Sequence, residues 1–145
     1  MSVLLQFMYS FFATIGFAIY FGAPVNSIIP SGISGGASWS LYYIMFSILN
    51  DKILATFMGA FLVGTLGEAL AIKYKKPATV FITPGIVPLV PGAGMYYTMS
   101  YLVGRNFNKA INAGTEVFFM AAAIAMGIIV STIFTRTIRR FKRQN

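Results

Sequence analysis

Fifty residues pass before this chain presents a charged side chain, Asp51. Two more uncharged runs follow, from Pro77 to Gly104 and from Val117 to Thr135. In a water-soluble domain about a quarter of the residues carry charge, whereas here 10% do and 57% are hydrophobic. Runs of this kind reach the length of about 20 residues that a helix needs to cross hydrocarbon. The pattern therefore predicts an all-α fold, a polytopic transmembrane helix bundle occupying residues 1–145 as a single transmembrane domain. No stretch is left over for a soluble domain.

The formal net charge is +8, yet nucleic acid is excluded as a partner because no folded basic surface is available to read it. The cations instead gather just outside apolar runs: Lys73, Lys75 and Lys76 in one cluster, Arg136, Arg139, Arg140, Lys142 and Arg143 in another. There they set orientation and meet anionic headgroups. Five spans are expected, at about 3–21, 32–49, 53–72, 78–104 and 112–134, followed by a basic tail at 136–145. With that tail in the cytoplasm, eight cations lie inside and three (Lys52, Arg105 and Lys109) outside, which puts the N-terminus outside. If residues 32–49 were re-entrant, four spans would remain and the N-terminus would flip.

Small residues mark where helices should touch. Tyr9, Ala13, Gly16 and Tyr20 share a face of the first span. A turn-rich connector from Gly22 to Ser31 leads to a second span whose Gly32, Gly36, Ser40 and Tyr43 line one side. Asn50, Asp51 and Lys52 form a polar turn. Ala60, Gly64, Gly67 and Ala71 make a stripe along the third span, and Arg105, Asn106, Asn108 and Lys109 form a later polar loop.

Between Lys76 and Tyr97 the chain is apolar but carries Pro77, Pro84, Pro88 and Pro91 with Gly85, Gly92 and Gly94. In a helix, Pro84, Pro88 and Pro91 leave the carbonyls of Val80, Pro84 and Val87 without their donors. Hydrocarbon supplies no substitute, so such backbone survives only against protein or beside water. Interrupted helices of this kind hold substrate and coupling ion in many secondary transporters. Pro84, Gly85, Pro88, Pro91 and Gly92, with Tyr96 and Tyr97 just after the break, are the candidate substrate pathway; a kinked structural helix is the alternative reading.

Reactive side chains are scarce. The chain has no Cys and no His, which removes thiol chemistry, the commonest general base and most zinc ligation. Gly32-Ile33-Ser34-Gly35 spells a string found around intramembrane serine nucleophiles, but no His stands ready to activate Ser34. No P-loop is present. Neither an enzyme nor a metal or organic cofactor is expected. Only Asp51, Glu68 and Glu116 are acidic. Glu68 flanks the third-span stripe near its basic end, and Glu116 shares a face with Ala123, Gly127 and Ser131, so it should point towards packed protein. Intramembrane carboxylates are functional candidates by default, and these two are the candidates for proton coupling; structural ion pairing or capping of a hydrogen-bond network is the alternative.

The run Gly64-Thr65-Leu66-Gly67-Glu68-Ala69-Leu70-Ala71, then Lys76-Pro77-Ala78-Thr79, then Pro84-Gly85-Ile86-Val87-Pro88-Leu89-Val90-Pro91-Gly92, closing on Tyr96 to Met99, resembles the threonine/serine exporter (ThrE) family. More narrowly it resembles the small YjjB-type subunit, equivalent to the C-terminal half of fused exporters. The resemblance implies a multi-pass protein of the bacterial inner membrane that exports small metabolites, threonine and serine or dicarboxylates such as succinate. It also implies a larger YjjP-like membrane subunit as partner. The partners to expect are thus the lipid bilayer, that subunit, a small-molecule substrate and, as another arrangement, a homo-oligomer. A proton-driven half-transporter is the leading expectation; a scaffold subunit and a passive channel are the alternatives.

Overall fold

The computed structural model describes the backbone of residues 2–144 and the side chains of residues 2–138. Among these, six α-helices follow one another and no strand forms: α1 (Val3–Tyr20), α2 (Val25–Leu49), α3 (Lys52–Tyr74), α4 (Thr79–Ile86), α5 (Gly92–Val103) and α6 (Phe107–Gln144), with a 3-10 turn at Val87–Leu89 between α4 and α5. The side chains of Arg139, Arg140, Lys142 and Arg143, expected in the basic tail, lie outside the described residues.

The turns follow from local chemistry. Asn50 closes α2 in the left-handed conformation at φ 52°. Asp51 then caps α3, its Oδ1 accepting from the amides of Ile53 and Leu54 at 2.8 and 3.1 Å. Asn106 caps α6 in the same manner, accepting from the Lys109 amide at 3.4 Å. That cap draws Asn108 and Lys109 into α6, so the helix starts at Phe107 rather than near Asn112 and the polar loop shrinks to residues 104–106. The connector at Gly22 to Ser31 shrinks as well, because α2 already begins at Val25. Pro30 lies in the second turn of that helix and deprives the carbonyl of Asn26 of its donor.

Length and apolar content qualify three helices as membrane spans: α1, α3 and the stretch Phe107–Ile138 of α6. The pair Thr79–Leu89 and Gly92–Val103, bent by 53°, makes a fourth if it crosses as one broken span. The helix absent from this set is α2, although its 25 residues extend to about 37 Å. Its composition explains why. Its seven buried residues are Ser27, Ser31, Gly32, Ser34, Gly35, Gly36 and Ser38, and it touches α1, α3, α4 and the 3-10 turn. Its apolar residues Val25, Ile29, Ile33, Ile44 and Ile48 lie on the exposed side, and the small polar side chains of the buried face lower its average.

Close approach is the purpose of that face. A Cβ on Gly32 would strike Phe11 and Ile15, one on Gly36 would strike Phe7, and one on Gly35 would strike Thr14. Two of the buried serines turn inward on their own helix, Ser31 donating to the Ser27 carbonyl and Ser38 to that of Ser34, both at 2.8 Å. Across the interface Ser10 donates to the Gly35 carbonyl at 3.1 Å. It follows that α1 buries Ser10, Thr14 and Ala18 and not the expected face. Tyr9 and Tyr20 are exposed, and nothing approaches Gly16. Small hydroxyl residues that mesh with the glycines of α2 outcompete a stripe containing two tyrosines.

The α3 stripe behaves as expected. Ala60 meets Gly127, Gly64 meets Ser131, and Gly67 meets Ile82 of α4. These pairings ascend together, so α3 and α6 run parallel, and Lys73, Lys75 and Lys76 lie at the same end of the bundle as Arg136. The N-terminus lies at the other end, since Trp39 donates to Gln6 at 2.8 Å near the close of α2. α5 turns back along α6, with Gly94 against Val117 and Thr98 against Gly114.

Two glycines separate packing from propensity. Gly127→Val places a side chain 2.8 Å from the Phe57 carbonyl and should destabilise the bundle by about 1–3 kcal/mol. Gly16→Ala meets open space and should be neutral or stabilising by up to about 1 kcal/mol. Thermal unfolding in detergent of the two variants checks both signs.

Candidate functional site

The break is narrower than its prolines suggest. Pro84 stays inside the last turn of α4, and the helix gives way only at residues 87–91. Two of the orphaned carbonyls find backbone donors, and the third shares a serine proton held mainly by Ser27. The Val80 carbonyl lies 3.4 Å from the Ser31 hydroxyl, the Pro84 carbonyl accepts from the Val87 amide, and the Val87 carbonyl accepts from the Val90 amide at 3.2 Å. Two of the three donors come from tightening the helix into a 3-10 turn, the third from the serine face of α2. The expectation that these particular carbonyls stand bare is therefore corrected.

What the break leaves open is a cleft of about 470 Å³ between the end of α2, the start of α3, the break itself, α5 and α6. Pro88, Pro91 and Gly92 form one lip, Tyr97 and Tyr101 stand on α5, and Trp39 and Tyr42 form the opposite wall. Trp39 and Tyr42 are stacked with ring centres 4.9 Å apart. At the mouth, Lys52 Nζ and Glu116 Oε1 are 2.5 Å apart, each side chain about half exposed. Leu89 closes the floor, buried among Ala60, Ile124 and the aromatic wall.

Five of the nine residues singled out from sequence thus share one cavity: Pro88, Pro91, Gly92, Tyr97 and Glu116. The other four lie elsewhere. Gly85 is buried, and a Cβ there would run into Val63. Pro84 is buried too and borders a smaller cleft of about 280 Å³ with Val80, Thr83 and the turn after α1. Tyr96 is 70% exposed and does not line the large cleft. Glu68 is half-buried, some 16 residues beyond Lys52 along α3, which is about 24 Å.

Glu116 differs from expectation in its surroundings. Ala123, Gly127 and Ser131 on its face of α6 are buried, but one to two turns earlier the face leaves the bundle and opens into the cleft. Trp39, Tyr42, Lys52 and Tyr101 were not singled out from sequence. The signal that would have found Lys52 is its place at the first position of a helix, where the dipole disfavours a cation.

With this geometry in view, comparison with known proteins places the chain. The family model described as "Threonine/Serine exporter, ThrE" matches residues 6–134. A threonine/serine exporter of Corynebacterium glutamicum is 28% identical over 134 residues, covering 89% of this chain and 26% of that protein. A probable threonine/serine exporter of Mycobacterium tuberculosis is 24% identical over 118 residues, covering 81% of this chain and 22% of that protein. An uncharacterised protein of Haemophilus influenzae is 22% identical over 136 residues, covering 88% of this chain and 46% of that one. The chain spans about a quarter of the length of the two exporters, and no solved structure matches it. A multi-pass membrane protein with its family match running from α1 to α6, the chain belongs to the threonine/serine exporter (ThrE) family.

Proposed function

We propose that the chain is one subunit, a half-transporter, of a secondary exporter that moves small metabolites through the cleft at the proline–glycine break. Threonine and serine are one candidate solute class and dicarboxylates such as succinate the other. The observation that carries this reading is the cleft itself, with the break as one lip and an ion pair at its mouth, in a chain of an exporter family. The two exporters hold the matched region within a much longer chain. A larger YjjP-like membrane subunit supplies the remaining machinery. Export is coupled to the proton gradient through a carboxylate. Glu116, which touches the cleft, is better placed for this than Glu68.

The basic end of the bundle faces the cytoplasm of a bacterial inner membrane, following the positive-inside rule. The chain has no cysteine, so single cysteines report sidedness directly. Asn50→Cys should label with a membrane-impermeant maleimide in intact spheroplasts, and Lys75→Cys only after lysis. The reverse pattern would invert the topology.

Reconstitution with and without the co-expressed larger subunit, followed by uptake of labelled serine, threonine and succinate under an imposed proton gradient, tests the function. Flux is expected only with both subunits and should rise with the gradient. No flux in folded samples of either kind would leave a scaffold subunit, and flux indifferent to the proton gradient a channel. Gly92→Leu gives the site-specific arm. Nothing stands within 4 Å of a Cβ there and its φ is negative, so the side chain fills the cleft without disturbing the fold. Flux should fall by about tenfold or more, equivalent to about 1.4 kcal/mol on the barrier, with thermal stability unchanged.

A further inference from the structure

Lys52 and Glu116 meet across the mouth of the cleft from positions 64 residues apart in sequence, joining α3 to α6. Helix formation does not account for the lysine, because the first turn of a helix is the positive end of its dipole. Nor does the neighbouring Asp51 answer it, since that carboxylate accepts from the Ile53 and Leu54 amides. Around the pair the described lining of the cleft is neutral, with Trp39, Tyr42 and Tyr97 on the walls and the proline–glycine lip between them. The cleft therefore carries one positive and one negative group, paired with each other. A half-exposed pair of this kind is held weakly, so it opens readily to exchange partners.

The geometry points to Lys52 and Glu116 as the groups that read a solute's charges. The Lys52 ammonium takes the solute's carboxylate and Glu116 takes its ammonium, so the cleft accepts a small zwitterion and rejects a dianion. Inserting a zwitterion replaces one ion pair by two of the same kind. A dicarboxylate would satisfy Lys52 but carry its second charge towards Glu116. That repulsion grows as water is excluded. The inference rests on the reading of the cleft as the solute path and decides between the two solute classes left open there.

Trp39 is the single tryptophan of the chain and forms part of the cleft wall, so its fluorescence reports occupancy without any need for flux. The purified full chain in lipid nanodiscs is titrated with L-serine, succinate, N-acetylserine and serine methyl ester. Saturable change is expected with L-serine alone. Lys52→Met and Glu116→Gln should each weaken serine binding by about tenfold or more. The swapped variant Lys52→Glu/Glu116→Lys, which keeps the pair and guards against misfolding, should restore most of it. Succinate binding as well as serine, serine binding untouched by either single variant, or no response to any ligand would each overturn the inference. Loss of flux with serine binding intact would count against the exporter reading alone. Serine flux surviving Glu116→Gln at an unchanged KM would count against the charge-reading pair alone.

Discussion

The architecture depends on a helix with no bulk on its buried side. Along α2 the fully buried residues are all serine or glycine, so α1, α3 and α4 approach its backbone as closely as side chains of their own allow. In a bilayer the hydrophobic effect does not press helices together, and association falls to tight packing and hydrogen bonds. Ser31 and Ser38 fold their hydroxyls onto carbonyls of their own helix, while the hydroxyls of Ser27 and Ser34 are buried in the bundle without a hydrogen-bond partner among the described residues. α3 repeats the device against α6 with Ala60, Gly64 and Gly127.

The same face makes the break possible. A proline inside a helix costs about 3 kcal/mol or more, in part because a carbonyl loses its donor. Ser31 stands beside the Val80 carbonyl that Pro84 deprives, while the 3-10 turn serves the next two. With two of the three hydrogen bonds re-formed inside it, the turn behaves as a fixed corner. It seats Leu89 against Gly59 and Ala60 and sends α5 off at 53°. The cleft is the space that this change of direction leaves between α5 and the ends of α2 and α3. Its shape therefore comes from prolines whose backbone cost has been largely met elsewhere in the bundle.

Much of this was legible in the sequence. Uncharged runs gave the helical bundle, the glycines of α2 and α3 gave their contact faces, and the proline run gave the break and half of the cleft. The failures share a cause. Tyr9, Ala13, Gly16 and Tyr20 satisfy the small-residue spacing of a contact face on α1, but spacing does not say which face the neighbour can accept, and the glycines of α2 accept Ser10 and Thr14. Prolines announce orphaned carbonyls, yet the donor for Val80 lies 49 positions away in sequence at Ser31. Glu116 shares its face with buried residues, but a helical face extends past the point where its neighbour ends. Lys52 reads as one residue of a polar turn until α6 is seen beside it. Partners distant in sequence are invisible to periodicity.

The placement of the three acidic residues separates their tasks. Asp51 is committed to the N-terminus of α3, where its charge suits the dipole and its oxygen binds two amides. Glu68 lies about 24 Å from the cleft mouth along α3, towards the basic end, too far to sense a solute held between Pro88 and Tyr42 except through movement of the helix. Glu116 alone of the three combines contact with the cleft and an ion-pair partner on another helix, Lys52. A solute in the proposed path would meet that pair at the junction of α3 and α6, and no second carboxylate shares the described lining of the cleft.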